Sequence, residues 1–208
     1  MKERNKKEAE SEQPKVLRRN SEATRQAILD SARLAFIRSG YDGVGVREIA
    51  QNAGVTAMLV NRYFGSKEKL FEEVLEVTLS RPGVLRGEVT KPDINLSTLS
   101  RDLAVALVSR TAPDLTPLDG ILILLRSAAN KQAAKILRED ALRYLEPLIE
   151  ILPGRLSAER ASMLLSIIAG FQLMRKVIGL PALVEADPAD LTDQLKAVFE
   201  LLVEADTR

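Results

Sequence analysis

The sequence predicts an all-α protein, a small N-terminal helical bundle followed by a larger helical domain. Three observations point that way. Leu, Ala, Ile, Val, Glu and Arg dominate the 208 residues, a set that favours helix over sheet. Apolar residues recur at spacings of three and four along most of the chain, and no segment sustains the alternation of a half-buried strand. Pro and Gly fall between the periodic segments, where helices start and stop. At 46% hydrophobic residues the chain is long enough to bury a real core.

The elements are expected as follows. Residues 1–20 read as a disordered basic arm, with Pro14, mixed charge and almost no apolar residues. Residues 21–80 form the small bundle. Its first helix begins near Ser21–Thr24, carries Ile28, Ala32, Ala35 and Phe36 on its inner face, and ends at Gly40. A short helix with Val46, Ile49, Ala50 and Ala53 follows, with Gly45 as its N-cap. Gly54 interrupts, Thr56 caps a third helix, and Ser66 caps a fourth that carries Leu70, Val74 and Leu75.

Residues 81–208 form the larger domain, with 81–95 as a loop opened by Arg81-Pro82-Gly83. Asn95 or Ser97 starts a helix bearing Leu99, Leu103, Ala106 and Leu107. Thr116-Pro117 starts another that runs to about Asn130. A longer helix from about Lys131 is expected to end or kink at Pro147. Ser157 opens a helix to about Gly179, and Asp187-Pro188 opens the last, with Leu191, Leu195, Val198 and Leu202 as its stripe.

Composition narrows the chemistry. The chain has no Cys and no His, which removes disulfides, thiolates, and the commonest metal ligand and general base. No pair of carboxylates stands out, so no catalytic residue, metal or cofactor is expected, and the protein is not read as an enzyme. Residues 1–20 lack the apolar core of a signal peptide. Runs such as Ile121–Leu125 fall far short of a membrane span, so a soluble, cytoplasmic protein is expected. Charge is unevenly spread. Residues 1–70 hold 14 Lys and Arg against 9 Asp and Glu, a surplus of +5, whereas residues 71–208 carry −4. A polyanion would meet the front.

The stretch VREIAQNAGVTAMLVNRYF, residues 46–64, offers two short helices joined by a glycine-containing turn. That is the spacing of a helix-turn-helix, whose second helix can enter a DNA major groove. Val60, Tyr63 and Phe64 would anchor that helix. Thr56, Ala57, Met58, Leu59 and Asn61 would then face base edges, the amide suiting adenine and the apolar groups thymine methyls. Arg62 and Lys67, with Arg47 and Arg25 at the starts of earlier helices, suit phosphates. The same corner also occurs in helical proteins that bind no nucleic acid.

Residues 25–71, RQAILDSARLAFIRSGYDGVGVREIAQNAGVTAMLVNRYFGSKEKLF, closely resemble the DNA-binding domain of the tetracycline-repressor (TetR) family. The matching points are the Ile–Ala–Phe first helix, the Gly-Tyr turn, VREIA, AGV, RYF and SKEKL. The resemblance implies a transcriptional regulator that binds palindromic double-stranded DNA as a homodimer, usually a repressor released by a small molecule. The family often has Ser or Thr at Gly45, Tyr at Asn61, and small or hydroxyl residues at Met58 and Leu59. Those departures keep open an alternative, a helical ligand-binding or interaction module without specific DNA binding.

The larger domain resembles the family more loosely, with Arg160, Gly170 and Arg175 as matching points. The resemblance implies that the last two helices build a dimer interface. On the penultimate helix Leu164, Ile168, Phe171 and Arg175 share one side, and Met163, Ile167, Met174 and Val177 another. A helix apolar on two sides needs two partners, either its own core and a second subunit or a central place in a monomer. The expected interface is Leu164, Ile168, Phe171 and Arg175 with Leu195, Val198 and Leu202. The resemblance also implies an effector pocket in this domain. Its expected residues are Arg126, Asn130, Tyr144 and Gln172, walled by Leu103 and Leu107. Arg126 and Asn130 also suit capping at a helix end.

Overall fold

The computed structural model describes residues 2–79, 84–89, 94–112 and 119–204, and every regular element among them is helical. Contacts group the chain into two compact units that do not follow a single cut. One takes Met1–Glu76 together with Ile123–Ala134, the other Val77–Leu122 with Lys135–Arg208.

In the first unit, α1 runs Lys2–Ser39, α2 Val46–Asn52, α3 Ala57–Phe64, and α4 starts at Lys67. Helix α1 begins at Lys2 rather than near Ser21–Thr24. Residues 2–20 are rich in Lys, Glu and Arg, good helix formers even where no apolar stripe is present. Ile28, Ala32, Phe36, Ile49, Leu70 and Phe71 are fully buried and form the core of the bundle. Phe71 meets Phe36 and Tyr41 edge-on, each with ring centroids 5.0 Å apart. Burying side chains of this size stabilises by about 1.5–3 kcal/mol each.

The segment 123–134 belongs to this unit through specific contacts. Ser127 Oγ accepts from the Tyr41 N–H at 3.0 Å, Asn130 Nδ2 donates to Asp42 Oδ1 at 2.8 Å, and Arg126 donates to the Ile37 carbonyl. Gly40 has φ +69° and lies against this segment. A Cβ there would sit 2.3 Å from the Arg126 carbonyl oxygen, so only glycine fits.

The second unit holds α5 (Val84–Val89), α6 (Leu96–Arg110), the start of α7 (Asp119–Ser127), most of α8 (Lys131–Ile151), α9 (Ser157–Gln172), α10 (Pro181–Val184) and α11 (Pro188–Val203). The loop expected over 81–95 contains α5, because Val84, Leu85 and Val89 are buried against the core. Arg81-Pro82-Gly83 and Thr116-Pro117 lie outside the described residues. Asn95 caps α6 by accepting from the Ser97 N–H at 3.0 Å, and Asp187 caps α11 through Ala189 at 2.7 Å. Helix α8 does not end at Pro147. Leu145, Leu148 and Leu152 are all buried, and that packing carries the helix past the proline.

Helix α9 continues through a π-helical turn, Leu173–Ile178, and stops at Gly179. Ser157–Ile178 is long and apolar enough, by length and composition, to cross a membrane, with a mean hydropathy of 1.4. Length and average composition alone do not make a span, and the expectation drawn from the short apolar runs is not overturned by them. Single polar residues such as Ser162 and Ser166 break the runs without lowering the average much. The helix nevertheless contributes Ala161, Leu164 and Ile168 to the core, and α11 packs against both α9 and α6. Two arginines close helix ends. Arg160 Nη1 donates to the carbonyls of Leu202, Val203 and Glu204 at 3.2–3.4 Å, and Arg175 Nη1 to that of Val108 at 3.0 Å.

Candidate nucleic-acid interface

The corner between α2 and α3 is set by backbone geometry. Ala53 N–H donates to the Ile49 carbonyl at 3.0 Å and Val55 N–H to that of Ala50 at 2.9 Å. Gly54, at φ +68°, makes the left-handed step between them. Thr56 then adopts an extended conformation, and its Oγ1 accepts from the Leu59 N–H at 3.3 Å. Gly45 precedes α2 without a side-chain cap, as its composition dictates.

Helix α3 is held from one side. Val60 and Phe64 are buried, while Tyr63 is half-buried with its hydroxyl 3.0 Å from Ser21 Oγ. The opposite edge faces outward. Met58 is 80% exposed, Asn61 and Arg62 are exposed, and Ala57 and Leu59 are half-exposed. Thr56, at the start of this edge, is exposed as well. An apolar side chain as long as methionine is left almost wholly in water here, beside an amide and a guanidinium.

The expected phosphate-facing cations divide into two kinds. Arg47 and Arg62 are exposed and pair with no carboxylate among the described residues. Arg25 is paired with Glu73 and lies over the Phe64 ring at 5.0 Å. Lys67 Nζ sits 4.3 Å from the centroid of the Tyr41 ring. The Tyr41 hydroxyl donates to Glu68 Oε1 at 2.9 Å. Burial first, then that bond and the charge of Glu68, push the Tyr41 phenol well above its ordinary range. Glu68 is held below the usual carboxylate value of 4.5. Its own backbone N–H contributes most, followed by the Ser66 and Tyr41 hydroxyls, with the charge of Lys67 adding to them.

The residues expected to line an effector pocket are placed differently. Leu103 and Leu107 are fully buried in the second unit's core, Tyr144 packs against that core, and Gln172 is half-buried. Arg126 and Asn130 fall in the first unit, where they bond Ile37 and Asp42, and Asn130 Oδ1 also caps α8 through Ala133 at 2.9 Å. Their long-range partners lie 88–89 residues away in sequence, so polarity alone could not reveal them, whereas the capping role of Asn130 was legible in the sequence.

Among the expected interface residues, Leu164, Ile168, Arg175 and Leu195 are buried within their own unit. Phe171 and Leu202 are half-buried against the core, and Val198 is 41% exposed. The apolar side chains facing out are the other stripe of α9, with Met163 at 56%, Met174 at 40% and Val177 at 41% exposed, and Leu201 of α11 at 80%. The pattern of two apolar sides signalled both stripes. It did not say which one the chain keeps for itself.

Comparison with known proteins matches both parts of the chain. Residues 28–74 fit the model of bacterial regulatory proteins of the tetR family, and residues 98–203 fit that of the tetracyclin repressor-like C-terminal domain. The HTH-type transcriptional repressor AcnR of Corynebacterium efficiens is 34% identical over 101 residues, 44% of this chain and 53% of that protein. The chain thus spans about half the length of that curated relative. A TetR-family regulator from Streptomyces coelicolor is 25% identical with a TM-score of 0.60, covering 87% of this chain and 94% of that one. NalD, the secondary repressor of the MexAB-OprM multidrug efflux pump in Pseudomonas aeruginosa, shares the fold at 24% identity and a TM-score of 0.62, covering 89% and 99%. With a helix-turn-helix corner at 46–64, a helical second unit, and family matches over both, the chain belongs to the tetR family of bacterial regulatory proteins.

Proposed function

We propose that this protein is a cytoplasmic transcriptional repressor that binds a palindromic operator as a homodimer and is released by a small-molecule effector. The observation that carries the reading is the outward edge of α3. Met58, Asn61 and Arg62 project from a capped helix whose inner face, Val60 and Phe64, is fixed in the core. A helix of that kind can present Thr56, Ala57, Met58, Leu59 and Asn61 to base edges, with Arg47 and Arg62 on phosphates. The first N–H groups of α3 lack intrahelical acceptors and add donors for a phosphate oxygen.

The exposed stripe of Met163, Met174 and Val177, with Val198 and Leu201, supports dimerisation, because so much apolar surface on neighbouring helices favours a second copy. A two-fold dimer reads two half-sites about 34 Å apart, hence a palindrome. An effector acts by binding one conformation of the dimer better than the other, and release follows where that conformation mismatches the half-sites.

Selection of bound duplexes from a random pool tests the reading. Enrichment of a palindrome with half-sites one helical turn apart is expected. Retention of random duplex only at low salt, with no enriched sequence, would overturn it.

A further inference from the structure

An open cleft of about 790 Å³ lies in the second unit, lined by residues of α6, the π-helical turn, α10 and the start of α11. None of the residues expected to form an effector pocket lines it. Its charges are Arg101, Arg175 and Lys196 against a single carboxylate, Asp193. Lys196 is paired with Glu200 at 3.1 Å, whereas Arg101 has no partner among the described residues. Val105, Val108, Val184 and Pro188 supply an aliphatic wall.

Arg175 is the unusual member. It is 5% exposed and lies in the π-helical turn, on the same buried side as Leu164 and Ile168 of α9. Its Nη1 donates to the Val108 carbonyl and to Thr111 Oγ1, both at 3.0 Å, and the Phe171 ring lies 5.8 Å away. Its Nε is buried with no partner, and no described carboxylate pairs with it. Burial lowers its pKa. A guanidinium keeps its charge in proteins, so it is a buried cation whose counter-ion must come from elsewhere.

We propose that this cleft binds an aliphatic carboxylate, with Arg175 as the buried counter-ion, Arg101 at the rim and the valine wall against the hydrocarbon. Guanidinium and carboxylate match in planar geometry, and the cleft has the volume usual for a small-molecule site. The proposal deepens the effector reading above and rests on it only for the consequence at the operator.

Calorimetric titration of the full-length protein tests it, with sodium octanoate as the probe and octan-1-ol and octylammonium as length-matched controls. Octanoate is expected to bind one per chain, and neither control at tenfold higher concentration. Arg175→Gln should weaken octanoate roughly tenfold to hundredfold, the range of a hydrogen bond to a charged group. Because Arg175 also bonds α6, Arg101→Gln is run beside it, with a several-fold loss expected and an unchanged unfolding midpoint. Octanoate should raise the midpoint of the unaltered protein more than that of either variant. Equal binding of octanol, or wild-type affinity in both variants, would overturn the site. The effector role is read separately. Octanoate that binds without releasing a selected operator overturns that role and leaves the site standing, whereas failure to select any operator bears on the DNA reading alone.

Discussion

Arg47 and Arg62 project into solvent with no carboxylate partner among the described residues, while Arg25 is engaged by Glu73 and Lys67 by the face of Tyr41. Each of Arg47→Ala and Arg62→Ala is therefore expected to weaken binding to every duplex and to reduce the salt slope by about 1. Arg25→Ala and Lys67→Ala should show first in the unfolding midpoint, and an equal loss of slope for all four would contradict the distinction. Sequence pattern placed Val60 and Phe64 correctly because a short amphipathic helix reveals its inner face. It could not separate the two kinds of cation, since Glu73 lies 48 residues from Arg25. Glu68 carries a pH consequence. Its pKa is lower folded than unfolded, so its contribution to stability is present above 4.5 and is lost as the pH falls through the folded value. Urea midpoints of the unaltered protein and Glu68→Gln should differ near neutrality and converge as the pH falls below 4.5.

Helix ends account for much of what a single residue cannot. Caps at Thr56, Asn95 and Asp187 were legible because a short polar side chain before an apolar period has few other uses. The arginine caps were not, because each reaches a carbonyl far along the chain. Arg160→Ala leaves three carbonyls at the end of α11 without that donor and should lower stability by about 1–3 kcal/mol, measurable by denaturant unfolding. Helix α9 shows a different limit. Periodicity found both of its apolar stripes and put Arg175 with Leu164 and Ile168, on the side that is buried, but it gave no sign of the π-helical turn after Gln172 or of which stripe stays exposed. The helix continuing through Pro147 makes the related point that core packing outweighs one lost backbone bond.

At the scale of the whole molecule, the all-α class and the helix-turn-helix corner followed from period and punctuation, both local signals. The assembly depends on surface chemistry instead. Leu201→Glu combined with Met163→Glu puts charge on the exposed stripe and should give a species near the 22.9 kDa of one chain by sedimentation, with helical content retained. An unchanged mass for the double variant would remove that stripe from the proposed dimer.

The fit between Gly40 and the Arg126 carbonyl has a consequence for how such a protein can be inherited in pieces. A crossover near residue 80 that joined this front to the rear half of a relative would leave Ile123, Ser127 and Asn130 behind. Tyr41 and Asp42 would then face residues never selected to meet them. The front is encoded in two separated stretches of gene, so exchanging the proposed DNA specificity by simple recombination keeps these contacts only where both stretches travel together. Changing the few codons of the α3 edge is the shorter route.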